Sequence, residues 1–279
     1  MDFIKFKIEK SRKNIKPNSL NAYLISLRKL KEALTDEKEI KNLDFLKNEE
    51  KVIEFLHENY KLTTQKNYLA AIIVGLDAFG EKYEDEIIDY KSYLDELNND
   101  YNTQISKNEK TEKQNKNWVS LKTLRKVMNE KKNDLIDRGV FKKDADEITR
   151  RQFNQLQEWV VANLYLNDEN PPIRLDYGDM RVIKETDYNN LDKNELKENY
   201  LVVKSRNNKY FSFGNYKTEK TYNLKKIDVG KKLNSVLNIW LKYNKNGSLL
   251  VDTRGNSMSS NPLSKYVKKV FKETGKDIN

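Results

Sequence analysis

Residues 171–180, PPIRLDYGDM, separate two kinds of hydrophobic pattern. Upstream, RQFNQLQEWVVANLYL (151–166) repeats its apolar residues at helical spacing, with Phe153, Leu156, Trp159, Val160, Leu164 and Tyr165 on one face. Downstream, YLVVKS (200–205), KYFSFGNY (209–216) and TYNLKKIDV (221–229) follow the period of two that marks strands. Proline has no N–H to give a helix and disfavours helical backbone in the residue before it, so Pro171 and Pro172 end the helix and hold Ile173 extended. A further helical turn is expected next, placing Arg174 at a helix–helix junction and near the core, between Ile173 and Leu175. A guanidinium combines fixed charge with a planar fork of donors, the geometry that grips a phosphate. The plainer reading of Arg174 is a structural ion pair with Asp176 or Asp179.

The three strand segments predict a small antiparallel sheet, turning at Arg206, Asn207 and Asn208 and again, tightly, at Thr218, Glu219 and Lys220. Lys217 enters that second turn, with Lys220, Lys225 and Lys226 as rivals for any role a turn lysine has. Leu233, Val236, Leu237, Trp240 and Leu241 give the next helix its apolar face, and a last helix spans Leu263 to about Thr274. Trp118 resumes packing after a polar stretch, and Ser120 caps a helix carrying Leu121, Leu124, Val127 and Met128. Trp159 is read as core, not as a base-stacking ring.

The first hundred residues predict four amphipathic helices in a bundle. The first follows Pro17 with Ser19 as N-cap; the second carries Val52 to Leu56; the third opens at Thr63 or Thr64; the fourth runs from Ile87 to Leu97. His57, beside Glu58 and Asn59, reads as a surface side chain. NNDYNTQISKNEKTEKQNK (98–116) is almost free of apolar residues and is expected to be a linker. The expected organisation is therefore a mainly α protein. It has a helical domain over 1–97 and a linker over 98–116. A mostly helical second domain with a three-stranded antiparallel sheet fills 117–279.

Composition narrows the function classes. The 279 residues include no cysteine and one histidine, which excludes disulfides, thiolate metal sites and His-rich clusters. No apolar run approaches membrane-spanning length and the start lacks a secretory pattern, so an intracellular protein is expected. The net charge of +10 is segregated: residues 1–35 hold 9 basic and 3 acidic side chains, and residues 200–279 hold 17 and 5. Residues 36–108 hold 9 and 17, a net negative block. Clustered lysine and arginine favour a polyanionic partner, because neutralising phosphates releases counterions.

In layout and motifs the chain resembles the tyrosine recombinases (phage-type integrases), and among them the integrase-like proteins of large DNA viruses and related mobile elements. SLNAYLISLRKL and LTTQKNYLAAIIVGL are similar to helices of the family's DNA-clamping N-terminal domain, and NKNWVSLKTLRKVM to the start of its catalytic domain. NPPIRLDYGDM resembles the motif whose arginine binds the scissile phosphate, and YKTEKTYNL the hairpin with the catalytic lysine. The resemblance implies catalytic roles for Arg174 and Lys217. It also implies duplex contacts, with Lys13, Lys16, Thr64, Lys66, Asn67 and Lys220 as candidates. Double-stranded DNA is the implied partner, with no cofactor, no metal and no membrane, and a tetramer on DNA for a full-length protein in the cell, whether host nucleus or viral factory.

The family's chemistry is phosphoryl transfer: a tyrosine attacks the phosphate, arginines stabilise its oxygens and a lysine protonates the leaving oxygen. Two departures qualify the match. The position three after Arg174, commonly acidic, is Tyr177, leaving Asp176 and Asp179 as alternatives. The second motif, with a histidine, another arginine and a later tyrosine, has no counterpart: after Ser264 the chain reads KYVKKVFKETGKDIN. Tyr266 sits among Val267, Val270 and Phe271, a packing position. The expectation is therefore a DNA-binding part of such an enzyme, itself without the nucleophile; the alternative is a degenerate, inactive DNA-binding relative.

Overall fold

A computed structural model describes residues 2–277 apart from Pro172, so the expectation attached to Pro172 lies outside the described residues. The chain forms two compact units that divide between Lys110 and Thr111. The first contains α1 (Asp2–Ser11), α2 (Pro17–Thr35), α3 (Glu49–Asn59), α4 (Leu62–Asp77) and α5 (Glu84–Ser106). Helix α4 is apolar around most of its circumference and buries Tyr68, Leu69, Ala71, Ile72, Ile73, Val74 and Leu76, which makes it the centre of this unit. Gly75 lets α2 lie close: a Cβ there would sit 3.0 Å from Leu27 Cδ1.

Several boundaries differ from expectation. Helix α1 joins the four predicted helices, with Ile4 and Ile8, one turn apart, fully buried. Helix α2 starts at Pro17, where the missing N–H costs nothing, and Lys16 instead of Ser19 takes the flanking extended position. The segment expected as a linker, 98–116, is largely helical. Helix α5 continues to Ser106, because extending a formed helix fixes one residue per hydrogen bond whereas starting one fixes several. Beyond the division comes α6 (Glu112–Asn117), closed by a capping box in which Thr111 and Gln114 exchange side-chain and backbone bonds of 3.2 and 2.8 Å.

The second unit continues with α7 (Leu121–Asp137), capped by Ser120 as predicted, and α8 (Arg150–Leu166), capped by Thr149. Strand β1 (Arg181–Lys184), α9 (Glu185–Tyr188), β2 (Asn199–Ser205) and β3 (Asn208–Phe213) follow. Then come α10 (Glu219–Tyr222), β4 (Lys225–Asp228), α11 (Lys231–Tyr243) and α12 (Ser260–Val270). The sheet is four-stranded and mixed, in the order β1-β2-β3-β4, and not the three antiparallel strands expected. Strands β2, β3 and β4 pair antiparallel, while β1 adds in parallel with Val182 beside Leu201. The four residues of β1, RVIK, are too few to show alternation, which is why the pattern hid them.

One sheet face meets the helices: Leu201, Phe211 and Phe213 join Trp159, Val160, Leu237 and Trp240 in the main core. Trp159 is 4% exposed and tilts against Phe141, as a core ring does. The other face, with Tyr188, Tyr200 and Val202, makes a small second cluster. Lys209, 2% exposed, fastens the β2–β3 turn to α11 by donating to the Arg206 carbonyl and to Asn234 and Asn238 Oδ1 at 2.6–2.8 Å. Burial holds its ammonium below the ordinary lysine value, and the charge of Arg206 adds to that. Among the described residues no helix is long and apolar enough to cross a membrane.

Candidate functional site

The end of α8 and the turn after it carry Arg174. Residues 175–179 form a single turn, closed by Gly178 N donating to Leu175 O at 2.9 Å, where a further helical turn was expected, and it does not grow into a helix. The reason is Asp179, whose left-handed backbone (φ 56°) stops helical propagation while its N–H donates to Met258 O. Gly178 is packed flat on the start of α12: a Cβ would lie 2.7 Å from Ser260 N. Ser260 Oγ in turn donates to Leu175 O at 3.3 Å. Ile173 and Leu175 pack against the core, as the sequence suggests, and Tyr165 Oη donates to the Arg174 carbonyl at 3.0 Å. The Arg174 side chain itself is exposed and takes part in no salt bridge among the described residues, although its charge acts on the neighbouring Asp176 carboxyl.

Tyr177 is 1% exposed and meets Tyr165, Phe211 and Phe213 edge-on, with ring centroids 5.2–6.2 Å apart. It is a core residue, and burial raises its phenol above the ordinary value. Of the two flanking acids, Asp176 faces the site and Asp179 supplies the turn. Partial burial pushes the Asp176 carboxyl above its usual value, with the Arg174 guanidinium opposing the shift.

Lys217 lies on the connection between β3 and β4. The tight turn expected there is a wider loop, residues 214–224, containing the single helical turn α10; β4 begins only at Lys225 because Lys225 pairs with Phe213. The loop is closed internally by Tyr216, whose N–H donates to Glu219 Oε2 at 3.3 Å and whose hydroxyl donates to Asn223 O at 2.6 Å. Asn223 pays for this closure with a backbone (φ 56°, ψ −162°) that suits glycine.

Arg174 and Lys217 line one cleft of about 520 Å³, together with Ile173, Asp176, Phe213, Tyr216, Thr218, Tyr222 and Lys225. Three cations thus face one half-buried carboxylate, an arrangement that favours an anion. Tyr222, 68% exposed, offers an aromatic plane at the rim. The rival lysines separate: Lys225 lines the cleft, Lys220 stands on α10 away from the lining, and Lys226 is over the rings of Tyr188 and Tyr210 at 4.9 and 5.4 Å.

Asn199, which the sequence reading passed over, joins the two halves of the site. It is 7% exposed, and its amide bonds to backbone on both sides: Nδ2 to Asp176 O at 3.0 Å and to Asn215 O at 2.9 Å, and Oδ1 from Asn215 N at 2.9 Å. The available signal was an amide side chain opening an otherwise apolar strand, NYLVV. Tyr216 and Tyr222 were equally unmarked, and Thr218 was marked only as a turn residue.

The first unit's candidates are not gathered into one site. Lys13 and Lys16 are exposed on the connection before α2, and neighbouring Arg12 reaches Asp77 at the C-terminal end of α4. Thr64, Lys66 and Asn67 lie in the first turns of α4, about 15–20 Å from Asp77 along its axis. Lys66 is engaged over the Tyr101 ring at 4.2 Å. Tyr266 donates to Asn154 O at 3.2 Å and is part-buried against the core, with its phenol raised by burial. Among the described residues no group of histidine, aspartate and glutamate could hold a metal.

Comparison of the chain with protein-family models, with curated proteins and with solved structures finds no match.

Proposed function

We propose that the Arg174–Lys217 cleft binds a phosphate of double-stranded DNA, and that the chain is the phosphate-gripping part of a DNA strand-transferase of the tyrosine recombinase type. The observation that carries this reading is the convergence of Arg174 and Lys217, 43 positions apart by their numbers, on one cleft, with neither in a salt bridge among the described residues. In that setting Arg174 stabilises charge on the non-bridging phosphate oxygens and Lys217 stands as proton donor to a leaving oxygen. Asp176, the acid that lines the cleft, offsets part of the cations' charge. The resemblance of NPPIRLDYGDM and YKTEKTYNL to the family's motifs supports the same roles.

A DNA-binding protein without chemistry is the second reading, favoured by the state of Tyr266. Its hydroxyl is engaged on Asn154 O near the first turn of α8, whereas the carbonyl of Arg174 is held by Tyr165 in the last turn of that helix. Titration of a labelled duplex by fluorescence anisotropy at several salt concentrations tests the shared claim: affinity falls steeply with salt if phosphates are neutralised. A flat salt response would overturn both readings.

A further inference from the structure

We propose that Asn199 is a positioning residue that sets the spacing of the two cations in the cleft; the inference rests on the reading of that cleft as a phosphate site. The amide of Asn199 uses both of its donors and its acceptor on two backbone segments. Its partner on one side, Asp176, is two residues after Arg174; its partner on the other, Asn215, is two residues before Lys217. One rigid side chain thus grips each segment at the same short distance along the chain from its functional residue.

Other anchors act on one segment at a time. Tyr165 holds the Arg174 carbonyl, Gly178 and Ser260 hold the following turn, and Tyr216 closes the Lys217 loop on itself. The hydrogen bonds of Asn199 connect the turn after Arg174 directly to the loop of Lys217. The site is also demanding about residue type. Aspartate at 199 would aim a carboxylate at two carbonyl oxygens, and leucine would leave the Asp176 and Asn215 carbonyls and the Asn215 N–H unsatisfied. A purely structural asparagine at a strand end needs only its own strand neighbours; this one reaches outside its strand in both directions.

The distinguishing measurement is a double-mutant cycle on the full chain, read as affinity for a short labelled duplex. With Asn199 present, Arg174→Ala and Lys217→Ala each weaken binding on the order of tenfold. The double variant is expected to lose less than the product of the two, because both cations hold one phosphate. In the Asn199→Ala and Asn199→Ser backgrounds the two losses should become multiplicative, with far-ultraviolet circular dichroism unchanged. Coupling that persists in a folded Asn199 variant overturns the positioning role, whatever the fall in melting temperature. If neither Arg174→Ala nor Lys217→Ala alters binding with Asn199 present, the phosphate-site reading itself fails, a different outcome. Amide exchange in the unmodified protein gives a check that needs no variant to fold. The Asn215 N–H should exchange as slowly as the β2–β3 ladder, and exchange at the rate of an exposed loop amide overturns the proposal.

Discussion

Tyr165 and Tyr266 mark opposite ends of one helix: Tyr165, in the last turn of α8, donates to the carbonyl of Arg174, while Tyr266 donates to the carbonyl of Asn154 near its first turn. The phenol of Tyr266 is therefore tied down near the start of α8, while the carbonyl of Arg174 is held near its end.

A nicked or phosphorothiolate duplex that traps phosphotyrosyl intermediates should accordingly give no adduct with the 279-residue chain. Tyr266→Phe should leave duplex affinity unchanged and cost about 1 kcal/mol of stability, the worth of one hydrogen bond. Tyr222, exposed at the cleft rim, is the internal control. Tyr222→Phe should bind as well as the parent, whereas Tyr222→Ala should lose about 1 kcal/mol if the ring stacks on nucleic acid. An adduct mapped to either tyrosine by mass spectrometry would contradict the assignment.

Arg174→Ala should weaken duplex binding by about 1–3 kcal/mol and leave stability within about 0.5 kcal/mol, since the side chain is exposed. Arg174→Lys should not restore affinity, because a point charge cannot reproduce the fork. Thermal melts beside anisotropy titrations separate a binding defect from a folding one.

Lys217→Ala should reduce the slope of log affinity against log salt by about 1, as follows when one fewer phosphate is neutralised. Lys226→Ala should leave that slope almost unchanged and lower the melting temperature instead, because its ammonium is engaged with Tyr188 and Tyr210. Equal slopes for the two variants would count against Lys217 as the functional lysine.

Stability should fall on the alkaline side. Burial raises the phenols of Tyr68, Tyr90, Tyr165, Tyr177 and Tyr266 above the ordinary tyrosine value. Above about pH 10 the unfolded chain sheds phenolic protons that the folded chain retains, so unfolding gains with each further step in pH. Below that value the contribution is fully present. Urea melts between about pH 9 and pH 11, followed by tyrosinate absorbance, should show a steep loss of midpoint.

Asn223→Gly should stabilise the second unit by about 1 kcal/mol, because glycine adopts the left-handed, extended backbone at this position without the penalty asparagine carries. Chemical denaturation reads this directly, and a destabilised variant would mean that the asparagine side chain matters more than its backbone.

Long helices with a strong 3.6 period were legible in the sequence: α7 and α8 begin at the caps or apolar runs that announced them. What escaped was short or decided by tertiary contact. The four residues of β1 have no pattern of their own and exist because β2 offers an edge. Helix α10 exists because the Phe213–Lys225 pairing leaves slack that Tyr216 and Glu219 gather in. Arg174 and Lys217 could be named from motif and turn position, yet nothing local showed that they share a cleft. Asn199 was invisible because its partners are two main-chain segments that carry no side-chain signature.

The close seating of Gly178 on Ser259 and Ser260 has a mechanical consequence. With Asp179 hydrogen-bonded to Met258 and Ser260 to Leu175, the arginine turn and the head of α12 are joined by hydrogen bonds as well as by contact. Side chains larger than glycine at 178 would push the head of α12 off the arginine turn.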